Sequence, residues 1–285
     1  MKVLEIREKF DRLVKRRNPH EGNGHAVKAV QEQPLRAELF SLDQLERHAK
    51  ALALSHELAK NRGPDKLIPR LNENAKILEE TYDLITAAVA KSHRVAPAAE
   101  WLLDNFYLVD EQIRTARKHL PPSYSRELPR LSNGPAAHYP RAYGIALELI
   151  SHVDGKVDAA NLDGFIRSYQ TVTPLKLGEL WAIPIVLRLA LIENLRRVAT
   201  RLADGQKDRD SADSWAERML QVVEQNPTDL ILVMADMARA NPPLTSAFLA
   251  EFTQHLRGQS PYFAFANGWL EHRVAEQGMT IEQLV

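Results

Sequence analysis

Apolar residues recur along most of the chain with the three- and four-residue spacing of an α-helix, and this periodicity restricts the fold most strongly. It is clearest between Trp101 and Leu120, where one continuous apolar stripe is formed by Leu102, Phe106, Val109, Ile113, Ala116 and Leu120. Alternating strand-like segments, which would have to flank a hairpin turn, are scarce. The pattern predicts an all-α fold, a multi-helix array or bundle of about ten helices with no sheet.

Capping residues and prolines indicate where these helices begin. Ser41 and Gln44 form a capping-box pattern, which predicts a helix that continues to about Leu58. Pro97 is suited to the first turn of the helix that carries the apolar stripe. Further helices are predicted after Gly63-Pro64, over 140–151, 158–169 and 175–203, from Asp210 or Ser211, from Thr228, from Pro242-Pro243, and after Pro261.

The two ends of the sequence differ from its middle. Residues 1–33 predict a basic N-terminal helix followed by a mobile linker, and residues 34–285 predict an all-helical domain. A second capping-box pattern, Thr280–Gln283, predicts a helix that begins at Ile281. Because the sequence reaches only Val285 and a single helical turn is not stable alone, we expect this domain to be truncated at its C-terminal end.

Composition excludes several functional classes. The 37 basic side chains are balanced by 37 acidic ones, which argues against a nucleic-acid partner, and the chain has no cysteine for a disulfide or thiolate site. The longest apolar run, Leu180–Ile192, is shorter than the roughly 20 residues of a membrane span. Since it also contains Pro184 and Arg188, it predicts a buried helix, and no transmembrane segment is expected in this chain.

Candidate carboxylates have simpler structural interpretations. Asp104 and Glu111 are seven residues apart on a different helix face from the stripe, and Asp110 precedes Arg114 by the four residues of a helical ion pair. A solvated helix face is therefore favoured over a catalytic carboxylate pair. The segment Asp154–Asp158 resembles the middle of a calcium loop but lacks the flanking ligands, so it predicts a turn followed by a helix cap.

Metal and nucleotide motifs are weak or missing. His20, Glu21 and His25 lack the spacing of a zinc-binding helix. Glycine-rich phosphate loops and the nucleophile elbow of hydrolases are absent from the sequence. We therefore predict no catalytic residue, no metal site and no cofactor in this chain.

The remaining candidate site is the proline-rich segment PPSYSRELPRLSNGPAAHYP, residues 121–140. Long loops within compact domains tend to be functional or disordered, and Tyr and Arg often anchor interfaces. The candidate interface or ligand contacts are Tyr124, Arg126, Glu127, Arg130 and Tyr139. We expect them to hold the domain's own helices or to contact another domain; stacking on sugars or binding of phosphate is the alternative.

Several long stretches resemble the N-terminal region of cyclic β-1,2-glucan synthases. They are PLRAELFS (34–41), AAEWLLDNFYLVDEQIRTARKHLP (98–121), YSRELPRL (124–131), YQTVTPLKLGELWAIPIVLRLALIENLRR (169–197) and the closing TIEQLV. The resemblance extends over roughly residues 34 to 285 but includes no catalytic motif, so no catalytic residue of the family can be assigned to a position in this chain.

The resemblance implies a large parent protein in the inner membrane of bacteria, with a membrane-embedded glycosyltransferase domain and a C-terminal phosphorylase-like domain. Such synthases use UDP-glucose to build a β-1,2-glucan on the protein itself and then cyclise it. The resemblance also implies that this chain is a non-catalytic region on the cytoplasmic side of that membrane. Its expected role is docking or scaffolding, with the remaining domains of the synthase, or a second copy of the region, as partner.

Two alternatives stay open from the sequence. In the first, the loop at 121–140 directly binds the growing glucan or UDP-glucose. In the second, the chain is a free-standing helical adaptor for protein interactions.

Overall fold

A computed structural model describes Leu35, residues 38–259 and residues 261–276. Over these residues the chain forms ten α-helices and no strand. Two isolated β-bridges, Leu58 with Leu131 and Arg130 with Pro140, are the extent of β-structure in this part. The prediction of an all-α fold without a sheet is therefore confirmed.

The helices differ widely in length, from six to 49 residues. In chain order they are α1 (Leu42–Ser55), α2 (Leu67–Ala90), α3 (Pro97–His119), α4 (Pro122–Glu127), α5 (Arg141–His152), α6 (Ala159–Gln170), α7 (Leu177–Gln225), α8 (Leu230–Ala240), α9 (Ser246–Leu256) and α10 (Ala264–Glu276).

Two predicted helix caps are present. At the start of α1, the Ser41 hydroxyl accepts from the backbone N–H of Gln44, and the Gln44 side chain accepts from the N–H of Ser41, which confirms the capping box. At the start of α6, an Asp158 carboxylate oxygen lies 2.7 Å from the backbone nitrogen of Asn161. Helix α1 ends earlier than predicted because the chain at Leu58 leaves the helix to pair with Leu131.

The predicted break between residues 203 and 210 is wrong. Helix α7 runs without interruption from Leu177 to Gln225. The Asp210 carboxylate does not cap a helix, because it accepts hydrogen bonds sideways from Nδ1 of His93 at 2.9 Å and from Nε2 of Gln206 at 3.0 Å. Asp210 is a residue type that often caps helices, but here its side chain lies in the middle of α7 and accepts hydrogen bonds from other side chains.

Two later helix starts were also predicted incorrectly. Thr228 is not a cap; it donates its hydroxyl to Asn226, which begins a short 3₁₀ turn ahead of α8. Pro242-Pro243 precede α9 without opening it, since the helix begins after Thr245, whose hydroxyl accepts from the N–H of Phe248. In both places the side-chain acceptor that caps the turn or helix, Asn226 or Thr245, is a different residue from the one predicted to start it.

The chain divides into two compact units. The N-terminal unit contains residues 38–86 and 97–202, and the C-terminal unit contains residues 87–96 and 203–276. Each has an apolar core of its own. The N-terminal core includes Leu45, Ala49, Ala53, Ile145, Leu149, Phe165, Tyr169 and Leu175; the C-terminal core includes Met219, Met234, Phe248, Phe252, Phe263 and Leu270.

Some predictions lie beyond the described residues. These are the basic helix and linker at 1–33 and the helix expected from Ile281. The proposal that 34–285 form one domain stays a prediction as well. Within the part of the chain that the structure describes, every helix is too short or too polar to cross a lipid bilayer.

Candidate functional site

The segment between Pro121 and Pro140 is less irregular than predicted, because it contains the short helix α4. After α4 the chain is tied to the rest of its unit by backbone hydrogen bonds. The carbonyl of Arg130 accepts from Ala59 at 2.8 Å, and the N–H of Ser132 donates to Glu57 at 2.9 Å.

Tyr124 joins α4 to the start of α7. Its hydroxyl donates a 2.6 Å hydrogen bond to the backbone carbonyl of Gly178. Burial raises the pKa of the Tyr124 phenol above its ordinary value. The side chain therefore acts as a neutral donor, and the residue is only partly buried.

Arg130 and Tyr139 also face their own unit. Arg130 is buried, packs against Gly63 and donates through Nη1 to the carbonyl of His138 at 3.3 Å. The Tyr139 ring lies 5.4 Å from the ring of Tyr143. The first residue therefore holds the segment against the loop at Gly63, and the second holds it against α5.

The other two predicted residues point outward. Arg126 is exposed, and Glu127 forms a 2.8 Å ion pair with Arg62 in which both side chains are more than half exposed. Such an exposed pair contributes little to stability. The structure therefore does not gather the five predicted residues into one site.

One of them, Tyr124, lies in a cleft between α3, α4 and α7. This part of the cleft has a volume of about 390 Å³ and is lined by His119, Pro121, Tyr124, Trp181, Pro184, Ile185 and Arg188. A second hollow of about 520 Å³ shares Pro184 and Arg188 with the first. It extends along α3 to Trp101 and Leu108 and along α7 to Leu191. We call the two together the α3–α7 cleft.

The α3–α7 cleft is apolar and open to solvent. Trp181 is 72% exposed, Trp101 is 55% exposed, and Leu108 and Leu191 are also exposed. Large apolar side chains grouped on a surface mark interaction sites more often than isolated ones do. Burying the two tryptophans would remove a large apolar area from water.

The cleft has few polar groups, and two of them lie on α7. Nε of Arg188 donates to Oε1 of Gln112 at 2.9 Å, which orients the guanidinium between the two hollows. Pro184 lies inside α7 and has no N–H to donate to the carbonyl of Leu180. The cleft therefore offers apolar surface, the guanidinium of Arg188, one backbone acceptor and the side chains of His119 and Tyr124, and its lining residues include no carboxylate.

Sequence reasoning missed most of this cleft. The run Leu180–Ile192 was predicted to be a buried helix, and this is wrong on one side, since Trp181, Pro184 and Leu191 are exposed. Trp101 lies next to the apolar stripe of α3 but not in it. A large aromatic residue outside the packing stripe was the available signal.

Several buried charges of the N-terminal unit lie in two separate ion-pair groups. Arg141 and Glu179 form a bidentate pair with N–O distances of 2.8 and 2.6 Å, and both side chains are at most 2% exposed. Glu193, which is 1% exposed, is within 2.8 Å of Arg70, Arg196 and Arg197.

Glu193 remains ionised despite its burial. Burial alone would raise its pKa, but the hydrogen bonds from Arg70 and Arg197 and the neighbouring positive charges lower the pKa to about 2. Nδ2 of Asn74 adds a further donor at 2.9 Å. This arrangement stabilises a fixed carboxylate and does not provide a group that can exchange protons near neutral pH.

The predicted solvated face of α3 is confirmed. Asp104 and Glu111 are exposed, and Asp110 pairs with Arg114 at 3.0 Å. The turn at Asp154-Gly155 is also present, with positive φ angles of 51° and 74°. None of these carboxylates faces the α3–α7 cleft.

The sequence of this chain is similar to part of a known protein. No family model matches it. Over 250 residues, 87% of the chain, it is 30% identical to the cyclic beta-(1,2)-glucan synthase NdvB of Rhizobium meliloti (strain 1021). The chain spans only 9% of that protein's length. The resemblance predicted from the sequence is thereby confirmed, and the chain is related to a short segment of a cyclic beta-(1,2)-glucan synthase.

Proposed function

We propose that this chain is a non-catalytic helical docking region of a cyclic β-1,2-glucan synthase-like glycosyltransferase, on the cytoplasmic side of the bacterial inner membrane. The α3–α7 cleft binds another segment of the same synthase. The relation to the synthase supports this context, and about nine-tenths of the relative lies outside the matched region. That remainder provides the partner for a surface exposed in the N-terminal unit.

The exposure of Trp101 and Trp181 is the observation that carries the proposal. Tryptophan is prominent among the residues that contribute most to protein interfaces. Here two of the four tryptophans in the chain border one cleft and remain more than half exposed. A partner that covers both would gain apolar contact area at a site where the helices are already formed.

The chemistry of the cleft indicates the kind of segment that it accepts. Its elongated apolar floor between two helices suits the apolar face of an amphipathic helix. Arg188 bonds to the neutral Gln112 and has no carboxylate partner among the described residues. We therefore expect the docked segment to carry an acidic residue near its apolar face.

Replacing both tryptophans should weaken this docking strongly. We expect Trp101→Ala/Trp181→Ala to reduce affinity by at least about 30-fold, since even one interface anchor typically contributes about 2 kcal/mol or more. Binding would be measured by adding the chain in trans to a cyclic beta-(1,2)-glucan synthase that lacks the matched segment, held in lipid nanodiscs. Tyr262→Ala is the control, because Tyr262 is 56% exposed but does not line the cleft.

Unchanged affinity in the double variant would contradict docking through the cleft. Failure of the unmodified chain to bind the shortened synthase would contradict docking altogether. Helix content measured by circular dichroism should be the same in all variants, since both tryptophans are mostly exposed.

A second candidate function, glucan or UDP-glucose binding, is favoured by one feature. Tyr124 and Trp181 border the same hollow, and aromatic rings of this kind can stack on sugars. If the cleft binds glucan, linear β-1,2-glucan or UDP-glucose should bind saturably, and Trp181→Ala or Tyr124→Ala should abolish that binding.

Two further variants test whether sugar binding depends on the aromatic ring of Tyr124 or on the exposed Arg126. Tyr124→Phe keeps the ring and removes only the hydrogen bond to Gly178, so it should retain most sugar affinity. Arg126→Ala tests the exposed part of the predicted loop. Absence of saturable binding to either ligand in isothermal titration would contradict the sugar-binding function without affecting the docking experiment.

A further inference from the structure

Two histidines and a glutamate converge in the N-terminal unit, outside the α3–α7 cleft. Glu148 and His152 lie one helical turn apart on α5, and His48 faces them from α1. Oε1 of Glu148 is 2.8 Å from Nε2 of His48 and 3.6 Å from Nε2 of His152. All three ligand atoms lie within 4.8 Å of one another. We propose that this cluster binds one Zn²⁺ ion.

The backbone orients the ring of His152. Its Nδ1 lies 2.8 Å from the carbonyl oxygen of Glu38. A carbonyl only accepts hydrogen bonds, so Nδ1 carries a proton, and Nε2 is the ring nitrogen that faces the carboxylate of Glu148. Nε2 is therefore the atom of His152 that is placed to bind a cation together with Glu148.

The same hydrogen bond is a typical feature of zinc-binding histidines. Their second ring nitrogen donates to a carbonyl or carboxylate, which fixes the tautomer and the orientation of the ring. Here Phe40 adds a second restraint, because its ring stacks on His152 at 3.9 Å and meets the edge of His48 at 5.4 Å. The backbone N–H of Phe40 also donates to the carbonyl of His152 at 3.1 Å. His152 is thus held in place before any ion binds.

The geometry suits zinc better than calcium or magnesium. Zinc bonds to imidazole nitrogen and carboxylate oxygen at about 2.0–2.2 Å, so that tetrahedral ligand atoms are about 3.4 Å apart. The two measured separations, 2.8 and 3.6 Å, lie on either side of that value. Calcium and magnesium prefer oxygen ligands. Binding requires Nε2 of His48 to give up its proton, either to Nδ1 of the same ring or to solvent.

A second cluster in the C-terminal unit provides a comparison. His93, Asp210 and Asp213 also lie close together. There, however, Asp210 accepts from Nε2 of Gln206 at 3.0 Å as well as from His93, and Asp213 faces Nδ1 of His255 at 3.0 Å. Both carboxylates there contact donors from outside the trio, Gln206 and His255, whereas the carboxylate of Glu148 contacts the two histidines of its own cluster.

The experiment uses the full chain, stripped of metal with a chelator and titrated with ZnCl₂ at neutral pH. We expect one saturable equivalent, with a rise in melting temperature of about 5 °C at a 100-fold excess over Kd. His48→Gln and Glu148→Gln should each weaken binding by at least about 100-fold, since loss of a ligand should exceed the 10–100-fold effect of losing an outer-shell partner. Both side chains are partly exposed, so these variants should fold, whereas His152 is buried.

Controls identify the site directly. His93→Gln, in the comparison cluster, and His20→Gln/His25→Gln, in the N-terminal segment, should leave zinc affinity unchanged. Co²⁺ in place of zinc should give the visible absorption of a tetrahedral site in the unmodified chain and lose it in Glu148→Gln. Absence of stoichiometric binding, or binding that survives His48→Gln, would overturn the proposal. Loss of binding in either control would overturn it equally, because the ion would then lie elsewhere.

Discussion

Replacing Glu193 by glutamine is expected to lower the free energy of unfolding by about 3–5 kcal/mol. Glutamine has almost the same shape but cannot neutralise the three guanidinium groups that lie within 2.8 Å of the carboxylate. Arg196 is nearly as buried as Glu193, so water can compensate for little of the lost charge. Urea denaturation followed by circular dichroism would measure the change.

A neighbouring carboxylate provides the matched control. Glu73 pairs with Arg70 at the same 2.8 Å distance, but its side chain is 56% exposed. Glu73→Gln should therefore change stability by no more than about 0.5 kcal/mol. Similar losses in the two variants would mean that burial of Glu193 does not set the strength of its interactions.

The same carboxylate predicts a defined response to acid. Its pKa is about 2 in the folded chain and 4.5 in the reference state, so its contribution is fully present above pH 4.5 and is lost as the pH falls toward 2. This difference corresponds to about 3 kcal/mol. Glu193→Gln should remove that part of the pH dependence, and the unfolding free energies of the two proteins should converge near pH 2.

Local sequence signals predicted those features of the fold that depend on neighbouring residues. The capping box at Ser41 needs only the side chain of Gln44 three positions away, and the stripe of α3 needs only regular spacing. The continuity of α7 could not be predicted in this way. It depends partly on Asp210 bonding to His93, 117 residues earlier in the chain, and that contact removes the apparent cap.

The candidate site was less accessible to sequence reasoning for the same physical reason. Tyr124 was predicted as a contact residue, but its neighbour in the cleft, Trp181, lies in an apolar run that indicated burial. Periodicity identifies an apolar helix, yet it does not show which side of that helix another element covers. Likewise, His48 and Glu148 are 100 residues apart, and their spacing in sequence indicates no shared site.

The buried pair of Arg141 and Glu179 should show strong coupling in a double-mutant cycle. Arg141→Met and Glu179→Met should each lower the free energy of unfolding by about 3–5 kcal/mol, because each leaves an uncompensated buried charge. The double variant leaves no charge and should lose less than either single variant.

The double variant should nevertheless remain less stable than the unmodified chain by about 2 kcal/mol. Arg141 also donates to the carbonyl of Pro174 at 3.2 Å, and Glu179 accepts from the N–H of Lys176 at 2.9 Å, so two backbone groups lose their partners. Urea denaturation of all four proteins would give the coupling energy. If the two single losses simply add, the ion pair does not act as a unit, and the helix starts of α5 and α7 are stabilised independently of one another.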